Sequence, residues 1–185
     1  MFIVLEGIDG CGKSTQAKLL ADWLQAHGRD VLLTAEPTTG RIGRFLREIL
    51  SGKAEVDPKT LALLFTADRA EHLAREIEPA LARGMTVVSE RYILSTICYQ
   101  AAQDVSEKWL CAINEFARKP DYTFLLDVTP GESMKRKAGT EIFEEKEFLK
   151  KVRANYLRMK KDAIVIDGRR RPEETFHDII GRLGL

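Results

Sequence analysis

The 185-residue sequence predicts an α/β protein with a three-layer α/β/α arrangement, in which helices cover both faces of a five-stranded parallel sheet. Short apolar or β-branched segments alternate with helical patterns along the whole chain. These segments are apolar almost throughout, as is typical of strands that are buried on both faces. Right-handed crossovers would place the loops that follow the strands along one edge of the sheet, where ligands bind.

The elements follow one another with recognisable start and stop residues. Gly28 and Gly84 each end a helix, because glycine readily adopts the left-handed conformation that closes one. Pro37 closes the second strand, and Pro130 suits the first helical position, where no N–H is needed. The predicted strands are 2–5, 31–33, 85–89, 122–126 and 163–166, and the predicted helices are 13–26, 41–50, 58–83, 94–103, 106–118, one beginning at Pro130, 145–160 and 172–183.

Composition restricts the functional class. A net charge of +1, with 44% hydrophobic and 31% charged residues, predicts a soluble globular protein with no overall field for nucleic acid or an anionic membrane. Cys11, Cys98 and Cys111 are odd in number and lack metal-binding spacings, so a reducing compartment is expected. We find no leader, membrane span, repeat or linker. The expectation is a cytoplasmic protein with one domain over residues 1–185.

The loop after the first strand carries the strongest functional signal. Residues 7–14 fit the pattern G-x-x-x-x-G-K-S/T at every fixed position, between a strand and an amphipathic helix. Its glycines let backbone N–H groups wrap a phosphate at the positive end of the next helix. Lys13 is expected to neutralise the β- and γ-phosphates of ATP, and Ser14 to bind Mg²⁺. The predicted ATP-binding residues of this P-loop are Gly7, Ile8, Asp9, Gly10, Cys11, Gly12, Lys13, Ser14 and Thr15.

Cys11 lies at a helix N-terminus beside Lys13, where a thiolate would be favoured. We interpret it as a small side chain of the loop rather than as a redox-sensitive thiol.

An arginine interrupts the apolar face of the helix predicted over 58–83. Residues four apart share one face of a helix, and this face reads Leu61, Phe65, Arg69, Leu73 and Ile77. In one interpretation Arg69 reaches the surface, or pairs with Asp68 or Glu71. In the other, Arg69 and Phe65 face a cleft, where a planar donor and a flat apolar plate hold an aromatic ligand. The residues alone favour neither.

The chain resembles the thymidylate kinases. Leu64-Phe65-Thr66-Ala67-Asp68-Arg69-Ala70-Glu71-His72 is similar to the family's Leu-Phe-x-Ala-Asp-Arg-Ala-x-His pattern. The segments LEGIDGCGKST, AEPTTG, ERYILSTICYQ, FLLDVTP, FLKKVRANYL and VIDG resemble other family blocks in the same order. The resemblance therefore runs almost from end to end and implies a P-loop kinase with a short helical lid at about 131–146.

The resemblance also implies a reaction and its site residues. It implies transfer of a phosphoryl group from ATP to dTMP with Mg²⁺, in DNA precursor synthesis, by a protein that is usually a homodimer. Phe65 would stack on thymine, Arg69 would donate to a base carbonyl, and Arg91 would hold the acceptor phosphate. Asp9 would position the acceptor near its sugar hydroxyl, rather than act as a base. The other implied acceptor-binding residues are Glu36, Pro37, Thr96, Tyr99 and Gln100.

Two departures from the family pattern affect the catalytic groups. Glu90 replaces the aspartate of the Asp-Arg-Tyr block, so it can hold Mg²⁺ or serve as a base on a sugar hydroxyl, as in deoxynucleoside kinases. Ile142 stands where the lid usually carries an arginine, and Gly10 stands where some relatives carry one in the P-loop. A lid cation must then come from Lys135, Arg136 or Lys137. We favour Arg136.

Two further arginine groups have open roles. Ala35 replaces an arginine before Glu36-Pro37, and Arg41, Arg44 or Arg47 can compensate. The run Arg169–Arg171 follows the last strand and either stacks on adenine or forms a solvated turn.

Two alternative functions are weighed against the leading one. A deoxynucleoside kinase is suggested by Glu90 and opposed by the Phe65–Arg69 block. A P-loop regulatory switch would bind nucleotide without a second substrate, but the chain lacks an Asn-Lys-x-Asp guanine-reading motif.

Overall fold

The sheet has the predicted architecture. The computed structural model describes residues 1–136 and 143–184. Its strands are β1 (Phe2–Glu6), β2 (Val31–Ala35), β3 (Thr86–Glu90), β4 (Tyr122–Asp127) and β5 (Ile164–Asp167). They form one five-stranded sheet in the order β2-β3-β1-β4-β5, and every neighbouring pair is parallel. The predicted α/β class is therefore confirmed.

The helices connect the strands across both faces of the sheet. Helices 13–26 and 41–50 have the predicted bounds, while the later ones begin or end within a few residues of prediction. The described helices are α1 (Lys13–Ala26), α2 (Arg41–Leu50), α3 (Pro58–His72), α4 (Glu78–Ala82), α5 (Ile93–Ala101), α6 (Glu107–Ile113), α7 (Pro130–Arg136), α8 (Phe143–Arg158) and α9 (Pro172–Gly181).

The segment predicted as one helix over 58–83 is continuous but not uniform. Asp57 caps α3 by accepting from the N–H groups of Lys59 and Thr60, and Pro58 takes the first helical position. The π turn Leu73–Ile77 then separates α3 from α4. The spacing of apolar residues does not predict this turn, because Leu73, Ile77 and Ala80 continue the three- and four-residue spacing of an α-helix.

The central strand β1 builds a core on each face of the sheet. Ile3 and Leu5 pack in a large cluster with Leu20 of α1 and Val152 of α8. The alternate residues Phe2 and Val4 pack in a second cluster on the opposite face, with residues of α4 and the π turn. This central position also fixes the P-loop between the ends of β3 and β4, because Leu5 pairs with Glu90 and Glu6 with Leu125.

In the part of the chain that the structure describes, none of the helices combines the length and apolar character that crossing a bilayer requires.

Candidate active site

The P-loop owes its shape to glycines in conformations that other residues rarely adopt. Gly7, Gly10 and Gly12 have φ values of 140°, 73° and 101°. A Cβ atom on Gly10 would lie 2.7 Å from the carbonyl oxygen of Ser133 in α7. A side chain at position 10 would therefore be doubly unfavourable, because it would strain the backbone and crowd α7.

Lys13 is held inside the loop that it follows. Its ammonium group donates to the carbonyl oxygens of Gly7, at 3.0 Å, and of Ile8, at 2.9 Å. Burial, and then the positive charge of Arg91, lower the pKa of Lys13 from its ordinary value. A polyphosphate would supply the negative charge that this buried ammonium group lacks. Cys11 is buried below the loop, with its sulfur 3.6 Å from the same ammonium nitrogen, which suits a small packed side chain.

A cavity of about 430 Å³ opens on one side of the P-loop and gathers the predicted acceptor residues. Leu50, Leu61, Phe148 and Leu149 give it apolar walls in addition to Phe65. We call it the front cavity. All of the predicted acceptor residues line it: Asp9, Glu36, Pro37, Phe65, Arg69, Arg91, Thr96, Tyr99 and Gln100.

Arg69 is held at the floor of the front cavity by a polar network. Its side chain is only 1% exposed, so the interpretation of a surface arginine is wrong. Its guanidinium donates to Glu36 at 2.6 Å and to Thr96 at 3.0 Å, and also to Asn114. His72 hydrogen-bonds the other oxygen of Glu36, at 3.2 Å. The carboxylate is thus satisfied from two sides, as a buried charge requires.

Asp68 does not pair with Arg69. Its carboxylate instead accepts from the backbone N–H of Thr38, at 2.7 Å, and from the hydroxyl of Thr38, at 2.6 Å. These bonds tie α3 to the loop after Pro37, so the two adjacent residues of the Asp-Arg pair each hold a different wall of the site.

Arg91 lies between the front cavity and the P-loop. Its guanidinium donates to Asp9 and, at 3.1 Å, to the hydroxyl of Ser95, and it lies 5.3 Å from the centre of the Tyr99 ring. Burial alone would lower the pKa of Arg91, but the charges of Tyr99 and Asp9 more than offset this and raise it, so the group stays cationic. Arg91 also has a φ of 69°, which is unusual outside glycine. A fixed cation therefore lies where the front cavity meets the P-loop.

Ser14 and Glu90 offer oxygen donors near the P-loop lysine. Ser14 is exposed at the start of α1, and Glu90, at the end of β3, is close enough to Lys13 for its charge to oppose the lowering of the Lys13 pKa. Within the described ranges 1–136 and 143–184, no cluster of three or more His, Cys, Asp or Glu side chains can hold a metal. This donor set fits Mg²⁺, which takes few protein ligands and completes its shell with phosphate and water oxygens. Glu90 is not among the residues that line the front cavity.

A smaller cavity of about 190 Å³ opens on the opposite side of the P-loop. We call it the rear cavity. It is lined by Cys11, Gly12, Thr15, Gln16, Arg136, Gly168, Arg170, Pro172 and Thr175. Its walls thus come from the P-loop, from the end of α7 and from the loop after β5, where the adenine of a donor was expected.

Arg136 reaches the rear cavity rather than the front one. Its guanidinium donates to the carbonyl oxygens of Gly168, at 2.9 Å, and of Cys11, at 3.4 Å. Among the competing lid cations, Lys135 is exposed, while Lys137, like Ile142, lies outside the described residues. Arg136 thereby places a positive charge beside the P-loop, although from the side away from the acceptor residues.

Arg47 and the arginines at 169–171 make contacts of different kinds. Arg47 donates to the carbonyl oxygens of Pro37 and Thr38, so it supports the turn after Ala35. Arg169 pairs with Asp167, and Arg171 pairs with Glu174 at the surface. Of the run, Arg170 lines the rear cavity.

Sequence reasoning missed a group of polar residues behind the front cavity. Glu6 is completely buried and accepts hydrogen bonds from Ser95 and Tyr156. Asn114 accepts a hydrogen bond from the guanidinium of Arg69. The charged residue at the end of an otherwise apolar strand was the available signal for Glu6, since a buried carboxylate needs partners. Nothing in the local pattern indicates its partners, which come from distant elements.

Comparison with known proteins identifies the family. The family model described as thymidylate kinase matches residues 5–179. This chain belongs to the thymidylate kinase family. It is 48% identical to a probable thymidylate kinase of Methanocaldococcus jannaschii over 186 residues, which cover 99% of this chain and 95% of the relative. It is 44% identical to one of Pyrococcus abyssi, over 97% of this chain and 93% of the relative. It is 43% identical to one of Methanococcus maripaludis, over 98% and 94%.

The thymidylate kinase match covers both cavities. Its range begins at the end of β1 and extends into α9, so it includes the P-loop, the Asp68-Arg69 pair and α8. The family assignment therefore rests on the whole constellation and not on the P-loop alone.

Proposed function

We propose that this protein is a thymidylate kinase that transfers the γ-phosphoryl group of ATP to dTMP, giving dTDP and ADP. One observation carries the proposal: the acceptor residues implied by the family resemblance line a single cavity that meets the P-loop at Asp9 and Arg91. The family match and the names of its relatives support the same activity. The front cavity is proposed to take dTMP and the rear cavity the adenine of ATP.

Phosphoryl transfer in this site requires alignment and charge neutralisation more than covalent chemistry. Lys13 would exchange its contacts with the carbonyls of Gly7 and Ile8 for the β- and γ-phosphate oxygens of ATP. Arg91, held by Asp9 and Ser95, would hold the acceptor phosphate in line with the γ-phosphoryl group. The acceptor phosphate is already anionic at neutral pH, so no strong base is required, and Asp9 acts through position.

The front cavity offers thymine a flat plate and fixed hydrogen-bonding groups. Phe65 would stack on the ring, and Arg69, with Thr96 and Gln100, would face its polar edge. Because Arg69 is already fixed by Glu36 and Asn114, its guanidinium does not have to be ordered when the base binds. Tyr99 and Pro37 would line the sugar.

Mg²⁺ is proposed as the cofactor, held by the Ser14 hydroxyl and, through water, by Glu90. When bound there, the ion would supply positive charge that partly neutralises the ATP phosphates. Arg136 is proposed to add positive charge from the rear side of the P-loop. Its contacts with Cys11 and Gly168 support this role, because they hold the guanidinium beside the P-loop, where the triphosphate is proposed to bind.

We further propose that residues 1–185 act as one domain, with a lid at about 131–146, and that the protein is a cytoplasmic homodimer, as the family resemblance implies. Sedimentation at several concentrations tests the dimer.

A coupled ADP-release assay with Mg-ATP tests the function. dTMP, dUMP, UMP, dCMP and thymidine are offered separately, and nucleotide hydrolysis without acceptor is the control. We expect a strong preference for dTMP. Preference for thymidine would make the protein a deoxynucleoside kinase with Glu90 as the base, and hydrolysis indifferent to every acceptor would indicate a regulatory switch.

A further inference from the structure

Glu6 is a completely buried carboxylate at the end of β1, one residue before the P-loop. One of its oxygens accepts from the backbone N–H groups of Tyr92, at 3.0 Å, and Ser95, at 3.2 Å. The other accepts from the hydroxyls of Ser95, at 2.6 Å, and Tyr156, at 3.0 Å. Burial raises the pKa of Glu6, and the hydrogen bond from Ser95 and the charge of Arg91 oppose that shift.

Glu6 caps a helix to which it does not belong. The N-cap residue of α5 is Tyr92, whose side chain makes no capping hydrogen bond. The carboxylate of Glu6 accepts the N–H groups of Tyr92 and Ser95 instead, and so satisfies donors that a helix leaves free in its first turn. A negative charge at this end also suits the helix dipole. Glu6 therefore fixes the start of α5, the helix that carries Thr96, Tyr99 and Gln100.

The same contacts fix the backbone from which Arg91 projects. Arg91 precedes Tyr92 and has a φ of 69°, a conformation that costs energy and must be held in place. The N–H of Arg91 donates to the carbonyl of Leu5, at 2.9 Å, and Glu6 holds the next N–H along the chain. The hydroxyl of Ser95 donates to Glu6 and also accepts from the Arg91 guanidinium. The carboxylate of Glu6 thus helps to hold the backbone next to Arg91 and, through Ser95, the Arg91 guanidinium.

A third element meets Glu6 through Tyr156 of α8. The Tyr156 hydroxyl lies 3.0 Å from Glu6 and 2.9 Å from the hydroxyl of Ser95. One face of α8 lines the front cavity with Glu145, Phe148 and Leu149. Tyr156 lies two turns further along the same helix. Its contact with Glu6 therefore helps to fix the position of α8 relative to the front cavity.

We propose that Glu6 is a positioning residue for the acceptor: it fixes Arg91, the start of α5 and the wall supplied by α8 in the arrangement that binds the acceptor nucleotide. This inference rests on the proposed function, and it adds a residue that touches neither the front cavity nor the P-loop phosphate site. Because its partners belong to the acceptor side, its loss should weaken acceptor binding and leave ATP binding nearly unchanged.

Two variants and a matched control test the inference. Glu6→Gln keeps the shape of the side chain but removes its charge and places an NH₂ group against the hydroxyls of Ser95 and Tyr156. Tyr156→Phe removes only one donor. The control is Tyr122→Phe, which removes the same kind of hydroxyl from β4, where it donates to the carbonyl of Leu183 at 3.0 Å. For each protein, the KM for dTMP and for ATP, the dTMP dissociation constant and the unfolding temperature are measured.

We expect Glu6→Gln to raise the KM and dissociation constant for dTMP about tenfold, as the loss of hydrogen bonds to a charged group implies. Tyr156→Phe should raise both about threefold, since it removes one such bond. The KM for ATP should change by less than about twofold in either variant, and Tyr122→Phe should leave both dTMP values unchanged.

The outcomes separate the two proposals. A purely structural Glu6 would lower the unfolding temperature or the active fraction without moving the dTMP values, and that result overturns the inference. If Glu6→Gln does not fold, Tyr156→Phe decides: behaviour like that of Tyr122→Phe overturns it. If the wild type neither binds nor phosphorylates dTMP, the proposed function itself fails, and this inference with it.

Discussion

The two sides of the P-loop are built differently. In the front cavity, charged side chains are buried and paired with one another. The Arg69 side chain is 1% exposed and donates a hydrogen bond to Glu36, which is also hydrogen-bonded to His72. On the rear side, Arg136 is exposed and donates to the backbone carbonyls of Cys11 and Gly168. The charged groups of the front cavity thus hold one another in place inside the protein, whereas the exposed Arg136 is held through the carbonyl oxygens of two buried residues, Cys11 and Gly168.

This difference has a consequence for selectivity. A site whose buried polar groups need a matching ligand rejects analogues strongly, because a wrong ligand leaves those groups unpaired. A site formed by backbone and exposed cations recognises phosphate charge more than base identity. Under the proposed function, we therefore expect discrimination between bases in the front cavity and charge neutralisation at the P-loop.

The largest expected effect is on catalysis and comes from Arg91. Arg91→Ala should lower kcat about 10²–10³-fold, the usual result of removing a fixed donor to developing charge. Arg91→Gly should lower kcat equally but be about 1 kcal/mol more stable than the alanine variant, because glycine adopts a φ of 69° without strain. Saturation kinetics and urea unfolding measure the two quantities. Equal stabilities would show that this backbone position is not strained.

Arg69 should have the largest effect on stability. Arg69→Met removes the hydrogen bonds to Glu36, Thr96 and Asn114 and leaves a buried carboxylate with His72 alone, which should cost about 3–5 kcal/mol. The matched control is Arg118→Met.

Arg118 is paired with Glu78 at the surface, where the side chains are 48% and 45% exposed. Its loss should cost at most about 1 kcal/mol. Urea unfolding compares the two variants. Similar losses in both would contradict the distinction between a fixed interior network and the surface.

The partners within these buried networks could not be predicted from the sequence. The parallel sheet and the bounds of α1 and α2 follow from local patterns, because periodicity and the residues that start or end a helix are local properties. The predicted acceptor residues lie together because the family motifs fix their type and order. Arg69 stood out as a polar residue on an apolar face, yet Glu36 and Asn114 are separated from it by 33 and 45 positions.

Glu6 and the π turn show two reasons for such misses. Glu6 is a single charged residue at a strand end, and its role follows only once topology brings α5 and α8 to it. Across the π turn Leu73–Ile77, the apolar residues Leu73, Ile77 and Ala80 keep three- and four-residue spacing, so the pattern of 58–83 resembles one uninterrupted helix. Arg136 differs again, because the basic segment at 135–137 predicted a cation but not which cavity it reaches.

Substitution of Arg136 tests whether the rear cavity contributes to catalysis. Arg136→Ala should lower kcat about tenfold, because it removes positive charge beside the P-loop, and should change the KM for either substrate by less than about threefold. Lys135→Ala, at the exposed neighbouring position, should leave kcat unchanged. Steady-state kinetics with both substrates measures this. An unchanged kcat in Arg136→Ala would remove this residue from the catalytic group.

The smallest effect is expected at the surface after β5, outside the lining of the rear cavity, where Asp167 accepts from Arg169. These hydrogen bonds hold the pKa of Asp167 at about 2, below its ordinary value of 3.8. Because the pKa is lowered on folding, the pair stabilises the protein above about pH 4, and this contribution is lost as the pH falls towards about 2. The difference in urea midpoint between the wild type and Asp167→Asn should therefore shrink over that interval.

Arg169→Gln removes the other partner of this pair. When Asp167→Asn is introduced into the Arg169→Gln protein, it should therefore change the urea midpoint less than it does in the wild type. The effect must be small, because the Arg169 side chain is 61% exposed and water screens the interaction. A midpoint difference as large as that of Arg69→Met would mean that this surface pair stabilises the protein as much as the buried network of the front cavity, and the contrast between them would then fail.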